Sequence, residues 1–339
     1  MTMFKHTSRS LFVVAVIGMV SMLASPTSAV VEWELVDESI SLGMKGVSPH
    51  VEKVGAGDRV FRSDMVPAGT AVSLCTDAGA CATESLSSSI GPVNDYAIAQ
   101  TTSGPRAYFK KMDPGAGTQG VFSAACASAD CLSFGAATLT STGMSVSSTE
   151  RAWGVPDPVK LPDGRIRIYI VESPSRDSSC PEKVASYISA DGISFTKESG
   201  WRLEGGYVDT EVLRAKDGEW VMIMADGPGC PGNQKLYVST STDGLTWAKP
   251  QVLTGEDVGR LDPTGYEVST NVFRIYYAAG SNDFTIKRAV LKIKQSTGGV
   301  AATGKTTTTT VKSKKITCVK GKTVKKVVGA TCPKGFKKK

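Results

Sequence analysis

The heptapeptide SADGISF at residues 189–195 recurs as STDGLTW at residues 241–247, which places Asp191 and Asp243 52 residues apart. An Asp-Gly pair flanked by alternating apolar residues is typical of a tight turn between two β-strands. An earlier relative, SADCLSF, occupies residues 128–134. A repeat of about 50 residues that contains short strands and Asp-Gly turns predicts the blades of a β-propeller.

A second feature recurs in phase with the first. Asp157 lies six residues before the turn residue Asp163, and Glu211 lies six residues before Asp217. The two carboxylates are therefore 54 residues apart and occupy equivalent places in successive units. The segments around them alternate in polarity and show no helical periodicity, which favours strands throughout.

Five units follow from this spacing: 48–92, 93–152, 153–205, 206–258 and 259–295. The last unit is one strand short. The alternating segment VEWELV at the opposite end of the body can supply that strand and close the ring, which removes exposed sheet edges. We therefore predict an all-β fold, a five-bladed β-propeller over residues 30–295 closed by an N-terminal strand. A β-sandwich is the alternative, but it does not require a repeat.

Residues 1–29 have the features of a signal peptide. Lys5 and Arg9 precede an apolar run at 11–23, and small residues precede Val30, where we place the cleavage site. The apolar run is too short to span a membrane comfortably, and no second run follows, so no transmembrane segment is expected. The sequence predicts a secreted protein that is extracellular or associated with the cell envelope.

The eight cysteines also indicate an oxidising compartment. They fall in local pairs, and proximity favours four disulfides: Cys75–Cys81, Cys126–Cys131, Cys180–Cys230 and Cys318–Cys332. Zinc is the alternative interpretation of such cysteines. Only His50 remains after removal of the signal peptide and no Cys-x-x-Cys pair occurs, so we predict no metal site.

Charge divides the chain in two. Residues 296–339 carry 12 lysines and no acidic residue, whereas residues 30–295 carry 25 basic and 32 acidic residues. The acidic body argues against nucleic-acid binding, and the basic tail predicts attraction to an anionic cell-envelope surface.

The tail contains a Thr/Gly/Lys linker at 296–315 and a two-cysteine module at 316–339. This module resembles the short lysine-rich C-terminal modules of assorted secreted bacterial proteins, and the resemblance implies retention at the envelope. A solvated basic tail is the alternative.

Asp157 and Glu211 are the candidate catalytic residues. The innermost strand of each blade lines the central channel, so residues at the starts of adjacent inner strands can face one pocket. Trp153 and Tyr207 each precede one of the two carboxylates by four residues. Two carboxylates flanked by aromatic rings match the needs of glycoside hydrolysis, in which one acid protonates the leaving oxygen and rings stack on the sugar.

Further carboxylates occupy comparable places. Asp209 shares a strand face with Glu211, and Asp95 and Asp262 lie at similar positions in the second and fifth units. We predict that these three aspartates bind substrate, together with Trp153 and Tyr207. The alternative is structural: Asp157 lies between two prolines and can simply shape a strand entry, and the aromatic residues can pack between blades.

The repeat and these short motifs resemble the five-bladed propellers of the arabinanase, levansucrase and invertase superfamily, which includes glycoside hydrolase family 43. The segment Asp157–Val159, DPV, is similar to the Asp-Pro element of the third blade, which implies that Asp157 orients substrate and tunes the acid. Glu211 is similar to the general acid of the fourth blade. The place of the first-blade base reads SPHV at Ser48–Val51, without an aspartate, and His50 is the candidate substitute. The Asp-Gly repeats also resemble the Asp-box of sialidases.

Three functions remain open at this point. The first is an exported glycoside hydrolase acting on a polysaccharide or oligosaccharide in the central pocket. The second is a carbohydrate-binding propeller that lacks the base, and the third is an envelope-attached interaction propeller. No cofactor is predicted, and calcium bound by channel carboxylates has no ligand spacing in its favour.

Overall fold

A computed structural model of the chain describes a subset of its residues. These are 31–65, 68–91, 93–113, 118–140, 145–147, 154–173, 179–294, 315–320, 323–328 and 337–338. The predicted signal peptide, most of the predicted linker, Trp153 and Cys332 lie outside the described residues.

Five antiparallel sheets form the first compact unit, which ends at Lys294. Blade 1 contains β2 (Val47–Val54), β3 (Gly57–Met65), β4 (Ala68–Cys75) and β5 (Cys81–Glu84), followed by a 3₁₀ turn at Ser88–Ile90. Blade 2 contains β6 (Asn94–Thr101), β7 (Gly104–Asp113), β8 (Thr118–Ala125), β9 (Thr138–Leu139) and β10 (Ser145–Ser147). Blade 3 contains β11 (Gly154–Lys160), β12 (Ile166–Glu172), β13 (Lys183–Ser189), β14 (Thr196–Lys197) and β15 (Leu203–Glu204).

Blade 4 contains β16 (Tyr207–Arg214), β17 (Trp220–Asp226), β18 (Leu236–Ser241) and β19 (Gln251–Val252). Blade 5 contains β20 (Gly259–Ser269), β21 (Val272–Gly280), β22 (Thr285–Ile293) and the N-terminal strand β1 (Trp33–Asp37). The first chain-order strands of the five blades, β2, β6, β11, β16 and β20, contact one another in a closed cycle. We call these the inner strands. The predicted fold class, a five-bladed propeller closed by an N-terminal strand, is confirmed.

The repeated heptapeptides form the turns between the third and fourth strands of blades 3 and 4. In the first, Asp191 Oδ1 accepts the Ile193 and Ser194 amides at 2.8 Å, and these backbone hydrogen bonds lower the pKa of Asp191 to about 2. Asp243 makes the same contacts in the second turn. Each turn then presents a glycine carbonyl to the preceding blade: Tyr108 Oη donates to Gly192 O at 2.7 Å, and Tyr169 Oη donates to Gly244 O at 2.7 Å. The repeat therefore fixes both the turn and the contact between neighbouring blades.

Strand β1 closes the ring by contacting two blades. It pairs with β22 from Trp33 opposite Ile293 to Asp37 opposite Ala289. The backbone of Trp33 also exchanges two hydrogen bonds with the side chain of Gln251 in blade 4, at 3.0 and 2.8 Å. The buried Trp33 ring packs against Phe273 at a centroid distance of 6.0 Å.

Three of the predicted disulfides are present: Cys75–Cys81, Cys126–Cys131 and Cys180–Cys230. The third joins the β12–β13 loop of blade 3 to the β17–β18 loop of blade 4. The fourth predicted pair includes Cys332, which lies outside the described residues, and it stays a prediction. Among the described residues, no helix has the length and apolar character to cross a membrane.

The second compact unit spans residues 295–339. Its three described strands are β23 (Lys315–Lys320), β24 (Thr323–Val328) and β25 (Lys337–Lys338), in the sheet order β24-β23-β25.

Substitution of Trp33 tests the role of β1 in ring closure. Trp33→Ala removes a buried ring from the core and should lower the free energy of unfolding by about 3–5 kcal/mol. The matched control is Val36→Ala on the same strand, whose side chain is exposed and whose loss should change stability by less than about 0.5 kcal/mol. Urea denaturation measures both variants. Equal effects of the two substitutions would contradict a structural role for the strand.

Candidate active site at the propeller axis

Every inner strand contains a two-residue bulge close to its start. The pairing of each inner strand with its neighbour skips two residues: Ser48–Pro49 in β2, Asp95–Tyr96 in β6, Val155–Pro156 in β11, Asp209–Thr210 in β16 and Asp262–Pro263 in β20. A bulge leaves its extra residues outside the ladder and redirects their side chains. The five blades therefore present equivalent residues at equivalent heights.

The bulges define two rings of side chains around the axis. The first ring contains the leading bulge residues: Ser48, Asp95, Val155, Asp209 and Asp262. The second ring contains the residues that resume pairing: His50, Ala97, Asp157, Glu211 and Thr264. All first-ring residues except Val155 have a positive φ, between 47° and 53°. Non-glycine residues rarely adopt this conformation, and such strain clusters at functional sites.

Four of the five first-ring residues, Asp95, Val155, Asp209 and Asp262, line a cavity of about 220 Å³. Ser48 Oγ donates to Asp95 Oδ1 at 2.8 Å, and the Ser48 amide donates to Asp262 Oδ2 at 2.8 Å. Lys110 Nζ lies 2.7 Å from Asp95 Oδ2. Asp209 and Asp262 hydrogen-bond to each other through their side chains. Three aspartates from three blades thus converge on one cavity, with a single lysine beside them.

Burial and mutual repulsion disfavour the ionised form of Asp209. Burial, and then the charge of Asp262, raise the pKa of Asp209 well above its usual range. Burial and the charge of Asp95 raise the pKa of Asp262 to about 6, against the opposing hydrogen bond from the Ser48 amide. The bond between the two carboxyls needs one proton, and it raises the pKa of Asp209 while lowering that of Asp262. The surroundings of Asp209 therefore disfavour its charged form.

Lys110 keeps its charge in this setting. Burial lowers the pKa of its ammonium, but the charge of Asp95, the hydrogen bond to it and the more distant Asp209 and Asp262 outweigh burial and leave the pKa raised. Lys110 and Asp95 are therefore an ion pair at the wall of the cavity.

The second ring connects neighbouring inner strands. Asp157 Oδ2 accepts the Val212 amide of blade 4 at 2.7 Å. Glu211 Oε1 accepts the Gly265 amide of blade 5 at 3.1 Å. In both cases the side chain satisfies the backbone N–H of the next inner strand.

The same contact continues around the ring. Thr264 Oγ1 accepts the Val51 amide at 3.3 Å, and His50 Nε2 lies 3.2 Å from the Ile98 amide nitrogen. His50 Nε2 also lies 3.0 Å from Glu52 Oε1, but one ring nitrogen cannot both accept from Ile98 and donate to Glu52. The tautomer that accepts from Ile98 matches the other members of the ring.

The fifth junction has neither partner. Ala97 offers no acceptor, and the residue that follows Asp157 is Pro158, which has no amide hydrogen. An unsatisfied buried N–H would cost about 1–3 kcal/mol. The pairing of alanine with proline therefore avoids that penalty, and all five junctions are accounted for.

The residues predicted as catalytic all lie in the second ring. Asp157 and Glu211 are neighbours, since the charge of Glu211 contributes, after burial, to a pKa of Asp157 that is well above its usual range. Burial also raises the pKa of Glu211 to about 7. Neither residue, nor His50, lines the axial cavity. Their catalytic roles stay a prediction, and the geometry favours a structural role for all three.

The residues predicted to bind substrate divide differently. Asp95, Asp209 and Asp262 line the axial cavity. Tyr207 does not, and instead packs edge-on against Tyr237 with ring centroids 5.3 Å apart. Trp153 lies outside the described residues.

Sequence reasoning missed Lys110 and Gln234, which also line the cavity. Lys110 lies in the segment RAYFKK and pairs with Asn94, near the start of the inner strand. The signal available in the sequence was a lysine in the strand that follows this inner strand. Gln234 comes from the β17–β18 loop, which no sequence pattern connects to the axis.

No group of three His, Cys, Asp or Glu side chains in the described part of the chain is arranged to hold a metal ion. The expectation of no cofactor stays a prediction.

Substitutions of Asp157 test the structural role of the second ring. Asp157→Ala leaves the Val212 amide without an acceptor and should lower the free energy of unfolding by about 1–3 kcal/mol. Asp157→Asn keeps an acceptor oxygen and should cost less than about 1 kcal/mol. Urea denaturation compares the two variants. Equal destabilisation by both would show that the hydrogen bond to the next blade is not what Asp157 provides.

The raised pKa of Glu211 predicts a pH-dependent stability. An ordinary glutamate, with a pKa near 4.5, ionises in the unfolded chain before Glu211 does in the fold, where its pKa is about 7. The native state therefore binds more protons than the unfolded chain between these two pH values. The contribution of Glu211 to the free energy of unfolding is full below about pH 4.5 and is lost as pH rises through 7. Glu211→Gln should remove this pH dependence, which amounts to at most about 3 kcal/mol between pH 5 and 8. A slope unchanged by the substitution would contradict the buried environment described here.

Comparison with known proteins finds similarity of structure alone. No protein-family model matches the chain, and no curated protein matches it. Among solved structures, a thermostable family-43 glycoside hydrolase is 14% identical with a TM-score of 0.54, covering 77% of this chain and 96% of that one. An endo-arabinase from Bacteroides thetaiotaomicron is 13% identical with a TM-score of 0.53, covering 77% and 99%.

A third solved structure broadens the range of activities. An N-acetylgalactosamine deacetylase from F. plautii, in complex with blood group B trisaccharide, is 15% identical with a TM-score of 0.55, covering 74% of this chain and 90% of that one. At these identities the likeness concerns the fold, and a shared fold does not fix the reaction. The chain has the five-bladed propeller fold of these proteins, as its resemblance to the arabinanase, levansucrase and invertase superfamily implied.

Proposed function

We propose that this chain is an exported, glycoside hydrolase-like propeller that acts on an extracellular oligosaccharide or polysaccharide at its axial cavity. The observation that carries the proposal is the convergence of Asp95, Asp209 and Asp262 on one cavity, in which Lys110 pairs with Asp95. Burial and the charge of Asp262 raise the pKa of Asp209 well above its usual range, which suits a general acid. Glycoside hydrolysis requires one carboxylic acid and one carboxylate on opposite sides of the scissile bond. Similarity of fold to a family-43 glycoside hydrolase and an endo-arabinase supports the same reaction class.

In this proposal each polar residue of the first ring has a role in the reaction. Asp209 donates its proton to the leaving glycosidic oxygen as the bond to the anomeric carbon breaks. Asp95 accepts a proton from a water molecule whose oxygen forms the new bond to that carbon. Asp262 keeps the acidic proton on Asp209 until transfer, and Ser48 and Lys110 orient Asp95. Val155 of blade 3 is uncharged, and its place in the first ring is between Asp95 of blade 2 and Asp209 of blade 4.

A second candidate function is carbohydrate binding without cleavage. The resemblance places a base in blade 1, where the first ring has Ser48. A serine hydroxyl that donates to Asp95 is a positioning group and not a general base. Both carboxylate oxygens of Asp95 already have partners, Ser48 Oγ and Lys110 Nζ, which favours a cavity that binds sugar and releases it unchanged.

Export and envelope attachment belong to the same proposal. The three disulfides support an oxidising compartment. The lysines of the C-terminal unit support attraction to an anionic envelope surface, which would hold the propeller near its substrate. An envelope-attached interaction propeller without a sugar ligand is the remaining alternative.

Reducing-end release by the full chain, expressed for export and incubated with arabinan, galactan and other polysaccharides, tests the proposal. Asp209→Asn should lower the rate by about 10²–10⁴-fold, because it removes the general acid while keeping the shape of the side chain. Asp157→Asn, in the second ring, is the matched control and should keep most of the activity.

The other outcomes separate the alternatives. Sugar binding without release, lost in Asp209→Asn, supports the binding function. Loss of activity in Glu211→Gln with full activity in Asp209→Asn would restore the roles implied by the superfamily resemblance and contradict the first-ring assignment. Neither binding nor release would leave the interaction propeller.

A further inference from the structure

A second cavity, of about 610 Å³, lies between blades 5 and 1. Its walls come from the segment 43–47 that enters β2, from the end of β3 and from the β21–β22 loop. Val47 pairs with Ser63, and Gly259 pairs with Gly280, so the end of β3 and the β21–β22 loop lie level with the starts of their inner strands. The side cavity therefore opens on the face of the propeller that carries the first ring.

One strand, β2, connects the side cavity to the first ring. Val47 lines the side cavity, and the next residue, Ser48, belongs to the first ring and contacts Asp95 and Asp262. Ser63, the partner of Val47, accepts the Asp95 amide at 3.3 Å. Consecutive residues of β2 therefore line the side cavity and hydrogen-bond to two aspartates of the axial cavity.

The lining of the side cavity balances its charges. Lys45 Nζ pairs with Asp283 Oδ2 at 2.8 Å, and Arg62 Nε lies 3.4 Å from Asp64 Oδ1. Phe284 adds a partly exposed aromatic ring. Paired donors and acceptors around an aromatic ring suit a neutral, hydroxyl-rich ligand, whereas an anionic ligand would have to disrupt both pairs.

Gly46 keeps the floor of the side cavity close to its wall. Its φ is 125°, and a Cβ there would lie 2.7 Å from the Ser63 carbonyl oxygen. The Gly46 amide also donates to Phe284 O at 3.1 Å, which ties the loop that carries Phe284 to this segment. The cavity is built by specific backbone contacts between two blades.

Volume indicates how the two cavities act together. Small-molecule sites usually measure about 300–1,000 Å³, and the axial cavity of 220 Å³ falls below that range while the side cavity of 610 Å³ lies within it. We propose that the side cavity is a second sugar subsite, which binds the neutral residues that follow the sugar held at the first ring. This inference rests on the proposed function, and it defines the ligand as a neutral glycan of at least two residues.

Calorimetric titration of the full chain tests the inference with two series of probes. These are galactose, β-1,3-galactobiose and β-1,3-galactotriose, and arabinose, arabinobiose and arabinotriose, with trigalacturonic acid as an anionic probe. The trisaccharide of at least one neutral series should bind about tenfold or more tightly than its monosaccharide. Lys45→Ala and Phe284→Ala should each abolish that gain and leave monosaccharide binding unchanged.

Lys294→Ala is the matched control, because Lys294 forms a similar exposed ion pair with Glu32 at 2.9 Å on the outer edge of blade 5. It should keep the full gain. Lys45→Ala still tests the inference if Phe284→Ala fails to fold. The Lys45–Asp283 pair is largely exposed, so its loss should leave the fold intact.

Three results overturn the inference and spare the proposed function: equal affinity for monosaccharide and trisaccharide, a gain that survives both substitutions, or tighter binding of trigalacturonic acid than of the neutral trisaccharides. Absence of binding by every probe contradicts the inference and the proposed function together.

Discussion

The two-residue bulge near the start of each inner strand is the constraint on which both rings depend. It occurs at the same height in all five blades, so residues two positions apart acquire different surroundings. In four blades the leading residue lines the axial cavity, and in four blades the residue that resumes pairing accepts a backbone amide of the next blade. Asp209 and Glu211 show the consequence: the first lines the cavity, and the second accepts the Gly265 amide. One backbone irregularity thus separates the candidate chemistry from the structural contacts.

The second ring shows how closure of the propeller uses polar groups near its axis. Four side chains of different types, a histidine, an aspartate, a glutamate and a threonine, accept an amide of the next inner strand. The fifth junction pairs an alanine with a proline and leaves no donor to satisfy. A hydrogen bond is worth about 1 kcal/mol, but an unsatisfied buried amide costs more, so the requirement applies at every junction. At the periphery, β1 closes the ring through Trp33 and its contacts with blades 4 and 5.

The sequence was sufficient to predict the fold because the repeat has a direct local cause. The aspartates of SADGISF and STDGLTW accept backbone amides in the turns, and the following glycine carbonyls accept tyrosine hydroxyls of the preceding blades. The site was predicted only in part. Counting six residues back from each turn selected Asp157 and Glu211, whereas Asp209, at the cavity, lies eight residues before Asp217. A bulge is a property of strand pairing and has no fixed sequence signature, so the two-residue offset could not be seen. Gln234 reaches the axis from a distant loop, which only the assembled ring brings near.

The central claim is that the first ring contacts the ligand and the second ring holds the blades together. A crystal structure of the chain with a bound oligosaccharide tests it most directly. The account predicts sugar oxygens within hydrogen-bond distance of Asp209 and Asp95, with Asp157 and Glu211 still bonded to the amides of Val212 and Gly265. A sugar bonded to Asp157 or Glu211, with those amide contacts broken, would contradict it.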